Sequence, residues 1–141
     1  MAFLGEFYCS FIGQGRLVIP KKIREALGKG DFFTLSKGYD GCLSGYRQQD
    51  WEESTRQLIS ESAVSGKGVD LRRHLFSSAV TLEIDKQGRV VVPKNLLEYS
   101  KLKETKEATI IGVGNHFEIW EPARWKAYQK TVEEKINKEK E

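Results

Sequence analysis

The chain has 141 residues, 39% hydrophobic and 30% charged, with a net charge of +3. That length suits one compact domain or two small halves sharing a core, and the composition places the chain among ordinary soluble proteins. The charge excess is too small to announce a polyanionic partner by itself, so its placement along the chain carries the information.

Residues 6–12 are rich in aromatic and β-branched types, with Phe7, Cys9 and Phe11 on one face and Tyr8, Ser10 and Ile12 on the other, and predict a strand. Gly13-Gln14-Gly15 supplies the freedom a tight reversal needs, since glycine accepts positive φ without a Cβ clash. Arg16 to Ile19 returns as a short strand. Pro20 suits the first position of a helix whose apolar side is Ile23, Ala26 and Leu27 and which Gly28 ends. Residues 32–36 and 42–46 read as two more strands, so the first half is β-β-α-β-β. Asp50 is a candidate cap for a helix from Trp51 to about Ser62, with Trp51, Thr55, Leu58 and Ile59 toward the core. The small, glycine-containing run from Ser62 to Val69 reads as a link, and Asp70 as the cap of a short helix with Leu71, Leu75 and Ala79 on one side.

From Val80 the plan recurs: a strand to Ile84, an Asp85-Lys86-Gln87-Gly88 turn, a strand from Arg89 to Val92, and a helix after Pro93 with Leu96 and Tyr99. Strands follow at 108–113 and 116–120 around Gly114-Asn115, a hairpin signal. Arg89 stands 73 residues after Arg16, Pro93 stands 73 after Pro20, and Trp125 stands 74 after Trp51. An internal repeat therefore covers most of the chain. The last helix carries Trp125, Tyr128, Val132 and Ile136 at spacings of three and four, a core or subunit-contact stripe, and the polar end from Lys135 to Glu141 is expected to fray.

Few residues are available for catalysis. The histidines are His74 and His116, neither near a metal-ligand pattern, and the chain holds no Gly-x-Ser-x-Gly elbow or phosphate-binding glycine loop. An enzyme is not expected, and no cofactor or metal is expected. Cys9 and Cys42 could pair, but their apolar strand-like surroundings favour buried free thiols in a cytosolic protein. No charged-then-apolar leader opens the chain, and no apolar run approaches the roughly 20 residues of a membrane helix, so the expectation is a soluble, intracellular protein.

The repeated turns have a use in nucleic-acid binding. An arginine at a hairpin end offers a forked donor to phosphate or a guanine edge, lysines at the following helix start add charge, and N–H groups freed at the helix starts add attraction. Arg16 and Arg89 could equally solvate hairpin ends or pair with Glu6, Asp85 or Glu83. Core packing demands the aliphatic triplets of both copies but not their arginines. Lys21, Lys22 and Lys94 could form ordinary solvated helix faces, and Trp51, Trp120 and Trp125 read as core. Between Gly13 and Leu27 Arg16, Lys21, Lys22 and Arg24 face Glu25 alone, while Asp85 to Tyr99 sets Lys86, Arg89 and Lys94 against Asp85 and Glu98.

Phe3-Leu-Gly-Glu, Gly15-Arg-Leu-Val-Ile-Pro, Gly38-Tyr-Asp-Gly-Cys-Leu, Asp85-Lys-Gln-Gly-Arg-Val-Val-Val-Pro and Gly112-Val-Gly-Asn-His-Phe-Glu-Ile-Trp together resemble the MraZ family of bacterial transcriptional regulators. The resemblance implies an α+β fold: an internally duplicated, AbrB-like swapped-hairpin β-barrel with short helices and a pseudo-two-fold axis. Its first half would span 1–62, a linker and short helix 63–79, the second half 80–125, and a C-terminal helix and polar tail 126–141, with the halves interleaved into one unit. It further implies a cytoplasmic, nucleoid-associated protein that forms a homo-oligomeric ring and binds direct repeats in promoter double-stranded DNA, repressing the division and cell-wall gene cluster. No membrane or small-molecule substrate is implied.

The family's Asp-x-x-x-Arg hairpin maps fully onto Asp85 and Arg89. In the first copy only Gly15 and Arg16 match; Ile12 stands at the aspartate position and Gln14 where a lysine is common. The site expectation is Arg16 and Arg89 as main contacts, Gln14 and Gln87 as base-edge partners beside Gly15 and Gly88, and Lys21, Lys22, Lys86 and Lys94 on phosphates. The first turn is expected to be richer in charge and the second better held, because an aspartate can brace its own turn and isoleucine cannot. The rival reading is a ring-forming scaffold whose basic tips bind an acidic protein.

Overall fold

The computed structural model of the protein describes residues 1–140. Eight strands and five α-helices follow the repeat: β1 (Glu6–Ser10), β2 (Arg16–Val18), α1 (Lys21–Leu27), β3 (Phe32–Lys37), β4 (Leu43–Tyr46), α2 (Gln48–Ser65), α3 (Val69–Ser78), β5 (Val80–Glu83), β6 (Arg89–Val91), α4 (Lys94–Tyr99), β7 (Glu107–Gly112), β8 (Phe117–Trp120) and α5 (Pro122–Lys140). The expected fraying from Lys135 is not seen up to Lys140, where α5 is still helical; Glu141 lies outside the described residues.

Pairing crosses between the halves at every level. The antiparallel main sheet has the order β1-β7-β8-β4-β3-β5, and β2 pairs with β6 in a separate ribbon. Strand β1 of the first half thus lies on β7 of the second, and β5 of the second lies on β3 of the first. Exchanging each strand for its repeat counterpart reverses the order and leaves it unchanged, so a pseudo-two-fold passes between β4 and β8 and between β2 and β6. A half taken alone would leave β3 and β7 without these neighbours and expose open edges. The mixed α+β antiparallel architecture agrees with the expectation, but no closed barrel is found among the described residues. Among the described residues β1 and β2 are joined by an isolated Phe11–Leu17 bridge and the Ile12–Arg16 backbone bond, too little pairing to close the sheet into a cylinder.

Alternation on the ribbon explains why both aliphatic triplets recur. Leu17, Ile19, Val90 and Val92 are buried, while Val18 is half-buried and Val91 exposed. The inward set joins Ile23, Leu96, Phe3, Phe33, Phe117, Ile110 and Ile119 in one core drawn from both halves. At roughly 1.5–3 kcal/mol for each fully buried large side chain, the ribbon's inner face is a principal source of stability.

Several local expectations shift. Pro20 and Pro93 sit one position before their helices with extended ψ values of 144° and 147°, and their carbonyls accept from Arg24 and Leu97. A proline there still loses no helical N–H bond. Asp50 does not cap α2, which starts at Gln48 after Arg47; its carboxylate pairs with the Arg47 guanidinium. Arg47 also donates to the carbonyls of Met1 and Ala26 and lies over the Phe3 ring, tying three segments together. Likewise Asp70 lies inside the first turn of α3, after a left-handed Gly68, and pairs with Arg73. Helix α2 runs to Ser65 and ends at left-handed Gly66. Ile59, expected toward the core, is 38% exposed and lines a surface concavity with Trp51 and Phe76. Cys9 and Cys42 are free and buried, and burial raises both thiols, Cys9 to about 11.

Candidate nucleic-acid interface

The β2/β6 ribbon sets the geometry of both turns. Its register places Arg16 opposite Val91, Leu17 opposite Val90 and Val18 opposite Arg89. Directly opposed residues of an antiparallel pair share a face, so Arg16, Val18, Arg89 and Val91 all point away from the core. Two residues along and one strand across put the arginine Cα atoms roughly 8–9 Å apart. The two arginines, distant in sequence, form one diagonal pair on one surface.

The second turn is braced by its aspartate. Asp85 Oδ1 accepts from the backbone N–H of Gln87 and of Arg89, each at 2.9 Å, while Asp85 N–H donates to Arg89 O at 2.8 Å and Gly88 N–H to Asp85 O at 3.0 Å. Its other oxygen lies 3.4 Å from Arg89 Nε, a charge contact rather than a hydrogen bond, since Nε has no hydrogen-bond partner among the described residues. The backbone N–H of Arg89 above all, then that of Gln87 and the Arg89 charge, holds the Asp85 carboxyl below its ordinary value. Gly88 has φ of 79°, which only glycine adopts without strain.

The first turn closes without that brace. Ile12 N–H donates to Arg16 O at 2.7 Å, the counterpart of the Asp85–Arg89 bond. Gly15 at φ 77° matches Gly88, but a second left-handed glycine, Gly13 at φ 73°, appears here without a carboxylate, whereas Lys86, the counterpart of Gly13, has no positive φ. Arg16 is exposed and has no ion pair among the described residues; Arg89 is half-buried.

Each turn is seated on the opposite half. Ile19, just before α1, donates its N–H to Gly88 O at 2.8 Å, and Val92, just before α4, donates to Gly15 O at 2.8 Å. Helix α1 therefore begins beside the second turn and α4 beside the first. This overturns the expected ranking of charge, because the basic helix start belongs in space to the other copy's turn. Lys94 accompanies the first turn and Lys21 the second; each makes a long, exposed contact to a glutamate of its own helix, Glu98 at 4.0 Å and Glu25 at 3.9 Å. Such contacts leave both ammonium groups largely available. Lys22 lines a concavity with Leu4, Glu6, Phe7 and Glu25 at the N-terminal segment. Gln14, Lys86 and Gln87 are exposed, while Gly15 and Gly88 are buried between turn and helix.

Arg24 is a further basic residue at the second turn. Its Nε donates to Ile19 O at 3.1 Å, and a Cβ on Gly88 would lie 3.1 Å from its guanidinium carbon. The sequence signal for it is the contrast between Arg24 and Leu97, which stands 73 residues on. The histidines lie elsewhere: His74 Nε2 is 3.4 Å from the Tyr99 hydroxyl, and His116 Nε2 is 3.0 Å from Glu118.

No helix among the described residues is long and apolar enough to cross a membrane. The profile of the MraZ protein family matches residues 2–70 and 75–141, one stretch for each half. A protein of Roseiflexus castenholzii named transcriptional regulator MraZ is 42% identical over 123 residues, 87% of this chain and 83% of that one. Its namesake in Ligilactobacillus salivarius is 38% identical across 96% of this chain and 92% of its own, and that in Pelotomaculum thermopropionicum is 44% identical across 90% and 85%. With a matched profile over both repeats and identity of this order over nearly its whole length, the chain belongs to the MraZ family.

Proposed function

We propose that this protein is a sequence-selective DNA-binding transcriptional regulator, working in the cytoplasm on the nucleoid. It reads direct repeats in promoter DNA as a ring-shaped homo-oligomer and represses a division and cell-wall gene cluster. The observation that carries the reading is the diagonal pair Arg16 and Arg89 on the outward face of the β2/β6 ribbon. A two-stranded ribbon fits the major groove of duplex DNA, and guanidinium groups there can reach guanine edges or phosphates. Gln14 and Gln87 at the turn tips take adjacent base edges, and Lys21, Lys22, Lys86 and Lys94 take phosphates. The names of the relatives support the same reading.

Residues 1–62 and 80–125 act as one binding unit, with 63–79 as the connection and the part of α5 from 126 onward outside it. Each ribbon alone binds weakly; several ribbons presented in register to repeated sites multiply the effective concentration. The test is a gel shift on the protein's own promoter against scrambled DNA at several salt concentrations. Replacing Arg16 and Arg89 together by alanine is expected to weaken promoter binding at least about 100-fold and to flatten its salt dependence. Unchanged affinity and slope in a folded double variant would remove the ribbon-contact reading.

A further inference from the structure

We propose that Arg24 of α1 is a phosphate contact of the second turn, supplied across the pseudo-two-fold by the first half, and that the first turn has no equivalent. This rests on the ribbon binding DNA. The Arg24 Nε donates to Ile19 O, and the N–H of the same residue donates to Gly88 O, so the Ile19 backbone lies between the guanidinium and the turn. A Cβ on Gly88 would lie 3.1 Å from Arg24 Cζ and 3.4 Å from Nη2, which sets the guanidinium in contact with the turn backbone. The Nη nitrogens have no hydrogen-bond or ion-pair partner among the described residues, and the residue is exposed.

A guanidinium fixed at Nε and open at Nη suits a phosphate oxygen, because its plane is already oriented before binding. Arg89 reaches out from the same turn, so the two groups can grip a base edge and a neighbouring phosphate together. Across the axis the corresponding residue is Leu97, whose Cδ1 would touch a Cβ on Gly15 at 3.2 Å. The first turn therefore rests on an apolar seat where the second rests on a charge.

The experiment uses the full chain and its promoter fragment, comparing the native protein with Arg24→Leu, Arg24→Lys and Arg89→Ala, each with a melting curve and a titration in salt. Arg24→Leu is expected to weaken binding about 10-fold and to lower the salt slope by about 0.9 for each engaged second turn. Arg24→Lys is expected to keep the slope and lose less affinity, because the charge remains while the fork is lost. If Arg89→Ala weakens binding and Arg24→Leu leaves affinity and slope unchanged, Arg24 is no contact and the inference falls alone. If Arg24→Leu lowers affinity and melting temperature but not the slope, Arg24 only holds the turn, and the inference falls again. If neither variant changes binding, the DNA reading of the ribbon falls with it.

Discussion

At the second turn a carboxylate accepts two backbone N–H groups and lies beside the arginine it follows; at the first turn isoleucine fills that position and two left-handed glycines shape the chain. Both turns keep the same closing backbone bond and the same seat on a helix start of the opposite half. One repeat plan has thus been held in two ways, by a side-chain brace and by conformational freedom. The brace limits motion of the turn and aims Arg89. The glycines reach the shape without aiming Arg16, and their freedom in the unfolded chain must be given up on folding.

The largest expected effect separates the seats. Gly15→Ala and Gly88→Ala both force a side chain into a left-handed conformation, at about 1 kcal/mol or somewhat more each. At Gly15 the new Cβ would also stand 3.1 Å from the Val92 carbonyl oxygen and 3.2 Å from Leu97, a backbone atom and a core side chain that cannot withdraw. At Gly88 it meets the guanidinium of Arg24, a side chain that can withdraw by giving up its bond to Ile19 O. Urea unfolding should therefore show a loss of about 2–3 kcal/mol for Gly15→Ala and about 1–2 kcal/mol for Gly88→Ala. Equal losses would mean that the two seats are equally rigid.

Asp85→Ala comes next. It removes two hydrogen bonds to backbone N–H groups on an exposed turn and should lower stability by less than either glycine change, with faster amide exchange at Gln87 and Arg89 and no change at Gln14 and Arg16. Acid does the same job reversibly. The Asp85 carboxyl is held below its ordinary value in the folded protein. Its contribution is therefore present above the unfolded-state value near about 4 and is lost as pH falls through the lower folded value. Exchange at the second turn should accelerate in that window relative to the first turn, which carries no titrating group at Ile12. Parallel acceleration at both turns would show that acid loosens the ribbon as a whole rather than the brace.

The repeat made most of this legible in the sequence: two glycine-arginine turns, alternating triplets that bury one face, and the missing aspartate at Ile12. What it did not show was which half each helix start serves. Local signals place Pro20 after β2 and Pro93 after β6, but the bonds Ile19–Gly88 and Val92–Gly15 join residues about 70 apart, and chain order carries no trace of them. The charge ranking failed for that reason. Counting Lys21, Lys22 and Arg24 with the turn they follow assigned Arg24 to the wrong one. Capping failed differently, because Asp50 and Asp70 lie inside the first turns of their helices and pair with Arg47 and Arg73 instead of capping, a placement that backbone geometry and not residue type decides.

The smallest expected effect tests whether the two turns are versions of one structure. Ile12 is 47% exposed, so Ile12→Asp gives up little burial and places a carboxylate four residues before Arg16, as Asp85 stands before Arg89. If the chain can relax into the braced shape, the new carboxylate should accept from the N–H groups of Gln14 and Arg16. That should slow their exchange and add about 0.5–1 kcal/mol to stability in urea. The obstacle is Gly13, whose φ of 73° differs from the ordinary conformation of Lys86, so the carboxylate meets the N–H groups only after Gly13 rotates. Ile12→Asp combined with Gly13→Lys removes that freedom and favours the braced shape directly. A gain in the double variant but not in the single one would locate the difference in the glycine backbone. No gain in either would show that the seat on Val92 and Leu97 fixes the first turn in a shape the aspartate cannot serve, and that the copies have diverged in backbone as well as in side chain.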